Sequence, residues 1–211
     1  MNRVMIKALA KERIRGKILT FAMALLAVAL LGAGCGKIFG PRGFLSKGAA
    51  TLVSLFVLNV ASYGITFMSL KTARGGEIEF SDLLAGCSNY WRVVLLYFFT
   101  SLFVTLWSLL LVIPGIIAGI SYSFAPYILA DNPEMEPLDA IKLSKKMTDG
   151  YKAELFTVWL SFIGWFFVGM ITFGIAMFWV YPYVSTTYAL YYEALKEKVN
   201  YSEIIEGEVI E

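Results

Sequence analysis

Two runs of 38 residues, Val93–Ala130 and Leu155–Tyr192, contain no Asp, Glu, Lys or Arg. A bilayer core about 30 Å thick is crossed by about 20 residues of helix rising about 1.5 Å each. A straight helix of either run would be roughly twice the core thickness. Each run must therefore fold back as a hairpin. Pro114-Gly115 is the natural turn of the first, and Thr172-Phe173-Gly174 that of the second. Two shorter uncharged runs, Ile18–Gly34 and Gly48–Leu70, make one span each. The expectation is an all-α polytopic membrane protein. Its six transmembrane helices form three hairpins at roughly 18–34, 48–70, 93–113, 115–130, 153–171 and 174–193, in one integral membrane domain with a short acidic tail over 199–211.

Composition agrees. Of 211 residues, 58% are hydrophobic and 16% charged, where a soluble domain carries about a quarter charged. Such a chain is neither disordered, nor a nucleic-acid-binding arm, nor a disulfide scaffold. It has no His, which excludes an imidazole base or a Ser-His-Asp triad. Its two cysteines, Cys35 and Cys87, are too few for a thiolate metal site and read as small apolar fillers. No phosphate loop, nucleophile elbow or carboxylate pair of catalytic spacing occurs. No enzyme, cofactor, metal or nucleic-acid partner is expected.

Charge orients the spans. Arg3, Lys7, Lys11, Arg13, Arg15 and Lys17 precede the first. Lys71, Arg74 and Arg92 follow the second, Lys142, Lys145, Lys146 and Lys152 lie between the fourth and fifth, and Lys196 and Lys198 end the sixth. Fifteen cations thus share one face, against three (Lys37, Arg42, Lys47) on the other. Both termini are expected in the cytoplasm. The stretch ending Gly-Ala-Gly-Cys at Cys35 is similar to a lipoprotein cleavage site, with Gly32 where Leu is usual. Five further spans fit an uncleaved first helix.

An amphipathic stretch precedes each hairpin. In Phe80–Trp91, residues Phe80, Leu83, Leu84, Cys87 and Trp91 fall on one helical face, with Ser81 or the preceding acids as a cap. In Pro137–Thr148, Pro137 suits the first helical position. Ala140, Ile141, Leu143, Ser144 and Met147 share one side, and Asp139, Lys142, Lys145 and Lys146 the other. Val4–Lys17 is a looser third copy. Such helices are expected to lie flat on the cytoplasmic face, lysines toward anionic lipid headgroups. Two echoes fit a threefold repeat. Arg15-Gly16-Lys17 parallels Gly150-Tyr151-Lys152, and Gly115, Ile116 and Tyr122 precede Gly174, Ile175 and Tyr181 by 59 residues.

The segment Leu109–Trp165 holds Ile113-Pro114-Gly115-Ile116, Ser121-Tyr122 and Tyr127-Ile128-Leu129-Ala130-Asp131-Asn132-Pro133. It continues with Ala140-Ile141, Ser144, Gly150-Tyr151-Lys152 and Leu160-Ser161-Phe162-Ile163-Gly164-Trp165. With Gly174-Ile175, Pro182-Tyr183, Tyr191-Tyr192-Glu193 and the start Ala10–Gly16, the chain resembles the bacterial integral membrane family known as domain of unknown function 975. Ala153 and Glu154 depart from the bulkier, more basic pair expected there. The resemblance implies a multi-pass protein of the bacterial plasma membrane and lends no catalytic residues.

Several residues are candidates for packing or for a cavity. Asn59 falls near the centre of the second span, where an amide needs a partner: a substrate, or a neighbouring helix. Pro126 and Pro182 fall inside the fourth and sixth spans and are expected to kink them. Tyr122, Tyr181 and Tyr183 lie near these kinks, where they line a cavity or bond freed carbonyls. Gly115 and Gly119 form a small-xxx-small pair for close helix contact, with Pro114 at the turn. Asp131-Asn132-Pro133-Glu134 ends the fourth span as a cap, or as a cation or partner site. Tyr90-Trp91 and Tyr191-Tyr192 are placed for an interfacial aromatic belt. No charge falls mid-span, which counts against a proton-coupled pump. Two main readings follow. One is a non-enzymatic protein acting through lipid contact, homo-oligomerisation or regulation of a membrane partner. The other is a transporter or channel for an apolar or amphipathic solute, which requires a deep cavity at Asn59, Tyr122 or Tyr183. An enzyme would have to work from Asp131, Glu134 or interfacial Tyr residues.

Overall fold

In the computed structural model, backbone is described for residues 3–38 and 47–199, and side chains for 3–30 and 58–199. The acidic tail, the first hairpin's turn around Arg42 and the side chain of Cys35 lie outside the described residues. The described chain is helical without strands: α1 (Arg3–Ile14), α2 (Ile18–Ile38), α3 (Lys47–Ala73), a 3-10 segment (Phe80–Cys87), α4 (Tyr90–Leu110), α5 (Val112–Ser121), α6 (Ala125–Asp131), α7 (Pro137–Met147), α8 (Lys152–Leu160), α9 (Ile163–Ile171) and α10 (Met177–Lys198). Among the described residues, three helical stretches, Tyr90–Leu110, Val112–Asp131 and Lys152–Ile171, are long and apolar enough to cross a membrane.

The turn between α4 and α5 is one extended residue, Leu111 (φ −159°, ψ 144°), three residues before the expected Pro114-Gly115. Pro114 instead lies in the first turn of α5, where a missing N–H costs no helical bond. Gly115 is where the hairpin closes: a Cβ there would lie 2.1 Å from Ser108 Oγ and 2.8 Å from its Cα. Gly119 faces open space, so the small-residue pair reduces to one glycine. The reversal between α9 and α10 falls at the residues expected. Phe173 (φ 51°) and Gly174 (φ 87°) reverse the chain, and Gly174 N–H donates to Gly169 O at 2.8 Å.

Two of the long stretches are interrupted. Val112–Asp131 breaks at Tyr122–Phe124, and Pro126 sits in the first turn of α6 beyond the break. Pro126 therefore starts a helix rather than kinking one. Lys152–Ile171 breaks at Ser161-Phe162. Pro182 lies inside α10 as expected.

The core joins the C-terminal halves of α3 and α10 with α6, α7 and the starts of α4 and α8. Phe124, Ile128, Leu129, Leu143, Met147, Tyr191, Tyr192 and Leu195 are fully buried in it. The burial of Tyr191 and Tyr192 corrects their placement in an aromatic belt. Phe124, Tyr127 and Tyr192 form a ring cluster with centroids 5.8–6.3 Å apart, Tyr127 stacked on Tyr192 and edge-on to Phe124. Tyr90 and Trp91 are exposed.

The amphipathic stretches also differ from expectation. On α7, Ala140, Ile141, Leu143, Ser144 and Met147 are all buried, with Lys142, Lys145 and Lys146 exposed, as the spacing predicts. That face packs on α4 and α6 rather than lying free for lipid. Phe80–Cys87 winds as a 3-10 helix, whose three-residue turn buries Leu83 and Gly86 and leaves Phe80, Leu84 and Cys87 exposed. Cys87 is thus no core filler, and the five-residue face from Phe80 to Trp91 does not form. Gly64 lets this segment approach α3: a Cβ there would lie 2.0 Å from Leu83 O. Gly16 (φ 89°) and Gly150 (φ 77°) each turn the chain from an amphipathic helix into the next, so that echo is structural.

Candidate functional site

Three helices meet at Asp131, whose side chain is 7% exposed at the end of α6. Arg74, just past α3, places Nη2 2.6 and 2.8 Å from the two carboxylate oxygens. From α10, Lys196 Nζ donates at 2.7 Å and Tyr192 OH at 2.9 Å. Arg74 also reaches Glu193 Oε1 through Nη2 at 2.7 Å and Nε at 2.9 Å. Two cations face two carboxylates, and hydrogen bonds complete the set. Burial disfavours the Arg74 charge, but its bonds to Asp131 and Glu193 prevail and hold its pKa above the usual value. Asp131 is thereby an internal tie between α3, α6 and α10. Its oxygens are occupied by protein donors, which leaves the cation-site reading without support.

The loop after Asp131 is fastened separately. Arg92 Nη1 donates to Pro133 O at 3.2 Å and to Glu134 Oε2 at 2.9 Å, and Asn89 Nδ2 to Pro133 O at 3.1 Å. Asn132 Nδ2 bonds back to Ile128 O at 3.2 Å.

Each helix break is covered by an amphipathic helix. At Tyr122–Phe124, Ser144 Oγ of α7 donates to Ser121 O at 2.7 Å and accepts Phe124 N–H at 3.2 Å. Tyr122 caps α5, its N–H bonded to Ala118 O at 3.0 Å. Its ring packs 6.2 Å from Phe103. At Ser161-Phe162, Lys7 of α1 hydrogen-bonds Ser161 Oγ and lies 4.0 Å from the Phe162 ring centroid. Burial, then the Arg3 charge, lower its pKa.

A cavity of about 510 Å³ opens between α1, the start of α2 and α10. Ala8, Ile14, Ile18, Trp179 and Tyr183 form its apolar walls, with Lys11, Glu12 and Arg15 at the rim. Trp165, Trp179, Tyr183 and Phe162 follow one another at 5.3–5.5 Å behind it. Of the candidate cavity residues, the structure brings Tyr183 here, directly after buried Pro182. Asn59 is half-buried on α3 and lines neither this cavity nor a hydrogen bond among the described residues. A smaller concavity of about 370 Å³ is walled by Lys142, Lys145, Lys146, Asp149 and Lys152.

Sequence reasoning used Arg74, Lys196 and Lys7 only as orienting charges and missed their contacts. The available signal was polarity at span ends, which names the groups but not their pairing.

Residues 109–199 match the model of the family described as protein of unknown function (DUF975). This is the family that the sequence resembles. No curated protein and no solved structure matches the chain.

Proposed function

We propose that the chain is a six-span protein of the bacterial plasma membrane, with both termini cytoplasmic. It acts without catalysis, through lipid contact, self-association or control of a membrane partner. The observation that carries this reading is a belt of apolar side chains that the protein itself does not cover. Leu109 is 84% exposed, Ile171 78% and Phe173 98%, and Leu110–Ile113 are also open. Water disfavours such a contiguous apolar surface, and hydrocarbon accommodates it. The three helical stretches supply half of the six spans, and α2, α3 and α10 supply the rest. Fifteen of the eighteen cations lie in the segments before span one, between spans two and three and spans four and five, and after span six, so those segments are cytoplasmic.

Single-cysteine labelling tests the arrangement in a background with Cys35 and Cys87 replaced by Ser. In cells with a permeable outer layer, an impermeant maleimide should label Phe173→Cys from outside. It should label Lys145→Cys only after the inner membrane is opened. Equal labelling of both from outside overturns the topology.

The cavity at Tyr183 favours a second reading, passage of an amphipathic solute. Flux across proteoliposomes separates the two: transport requires movement of the solute, whereas a binding role requires none.

A further inference from the structure

The cavity between α1 and α10 joins two kinds of surface at one mouth. Ile14, Ile18 and Trp179 give it a wall that attracts hydrocarbon. Lys11 and Arg15 give its rim two cations, offset by Glu12 alone. Among the described residues, neither cation's side chain makes a hydrogen bond or an ion pair. By contrast, Lys71, Arg74, Arg92 and Lys196 are each engaged by a carboxylate. A small inorganic anion would need only the cations, and a neutral apolar molecule only the wall. Both together fit an amphiphile with a negative head. The wall is also prebuilt, because Trp179 is held against Trp165 at 5.4 Å and Tyr183 at 5.5 Å. Little side-chain ordering then opposes binding.

From this we infer that the cavity binds one anionic phospholipid. Its phosphate meets Lys11 and Arg15, and part of one acyl chain lies along Ile14, Ile18 and Trp179. A volume of about 510 Å³ is in the range of small-molecule sites, so the remainder of the lipid stays in the bilayer. The inference rests on the membrane reading above and adds a lipid class and a place. The basin of Lys142, Lys145, Lys146, Asp149 and Lys152 is lined by charged residues, with no apolar residue among them. It serves as the internal control.

The test begins with membranes washed in alkaline carbonate. Protein that remains is extracted in mild detergent and mixed with phosphatidylglycerol and phosphatidylcholine of identical chains. Native mass spectrometry then counts the lipids retained. One phosphatidylglycerol per chain should be kept in preference to phosphatidylcholine. Lys11→Gln with Arg15→Gln should cut that preference by roughly thirtyfold, and Lys145→Gln with Lys146→Gln should leave it intact. Ile18→Trp fills the cavity without touching charge and should reduce retention. Its effect keeps the inference testable if the double variant misfolds. Inorganic phosphate should not displace the lipid. Equal retention of both lipids, an unchanged preference in the Lys11/Arg15 variant, or displacement by phosphate overturns the inference. Retention in carbonate-washed membranes without lipid preference defeats this inference alone, whereas loss from the membrane in carbonate defeats the membrane reading as well.

Discussion

Asp131, 7% exposed between Arg74 and Lys196, carries a charge that its neighbours neutralise. Asp131→Asn keeps the shape but leaves the two cations against Glu193 alone. Arg74 and Lys196 are 44% and 30% exposed, so water screens part of the loss. The expected destabilisation lies between the ~1 kcal/mol of an exposed pair and the ~3 kcal/mol of a buried one. It is read as thermal unfolding in detergent. Adding Arg74→Gln should cost less than the two single effects together, because both changes remove the same Asp131–Arg74 bonds. Strict additivity would show that the pair is not coupled. Of this arrangement, the sequence shows only that Asp131 ends an apolar run. That Arg74, 57 residues earlier, reaches the same point depends on how α3 and α6 pack.

At the scale of elements, α7 joins an amphipathic pattern to a broken helix. Its buried face was legible because a 3.6-residue period needs only local spacing. What that face covers was not legible. Ser144 bonds Ser121 O and Phe124 N–H, the groups left by the break. Irregular backbone within an apolar bundle persists only where partners satisfy it. Ser144→Ala should therefore destabilise by about 1–3 kcal/mol, and the Phe124 amide should exchange hydrogen faster than in the parent. Unchanged exchange across 121–125 would refute the role. The Phe80 segment shows the converse. Its apolar residues fit an α-helical face, but close contact at Gly64 accompanies a 3-10 winding that exposes most of them.

Across the whole molecule, burial is concentrated toward the Asp131 end, while the hairpin tips expose their apolar residues. Trp91, Trp107, Trp159 and Trp165 are 40–64% exposed. Reconstituted into bilayers with bromine on the acyl chains, the protein should lose most of its tryptophan fluorescence. Trp107→Phe should remove part of the quenchable signal. Quenching by aqueous iodide but not by brominated chains would contradict a hydrocarbon-facing belt. What the residues determined without a fold was where the chain is apolar, how long each apolar run is and where cations flank it, because these follow from local transfer energies and helix rise. The turn between α9 and α10 was legible for the same reason, since Gly174 supplies the positive φ that reversal needs. Only the tertiary structure decided that Asp131 ties three helices, that α7 and α1 cover the breaks, and that Tyr183 joins Lys11 and Arg15 around one cavity. These depend on long-range packing, and residues with the same local pattern can face lipid, water or one another until the helices are set side by side.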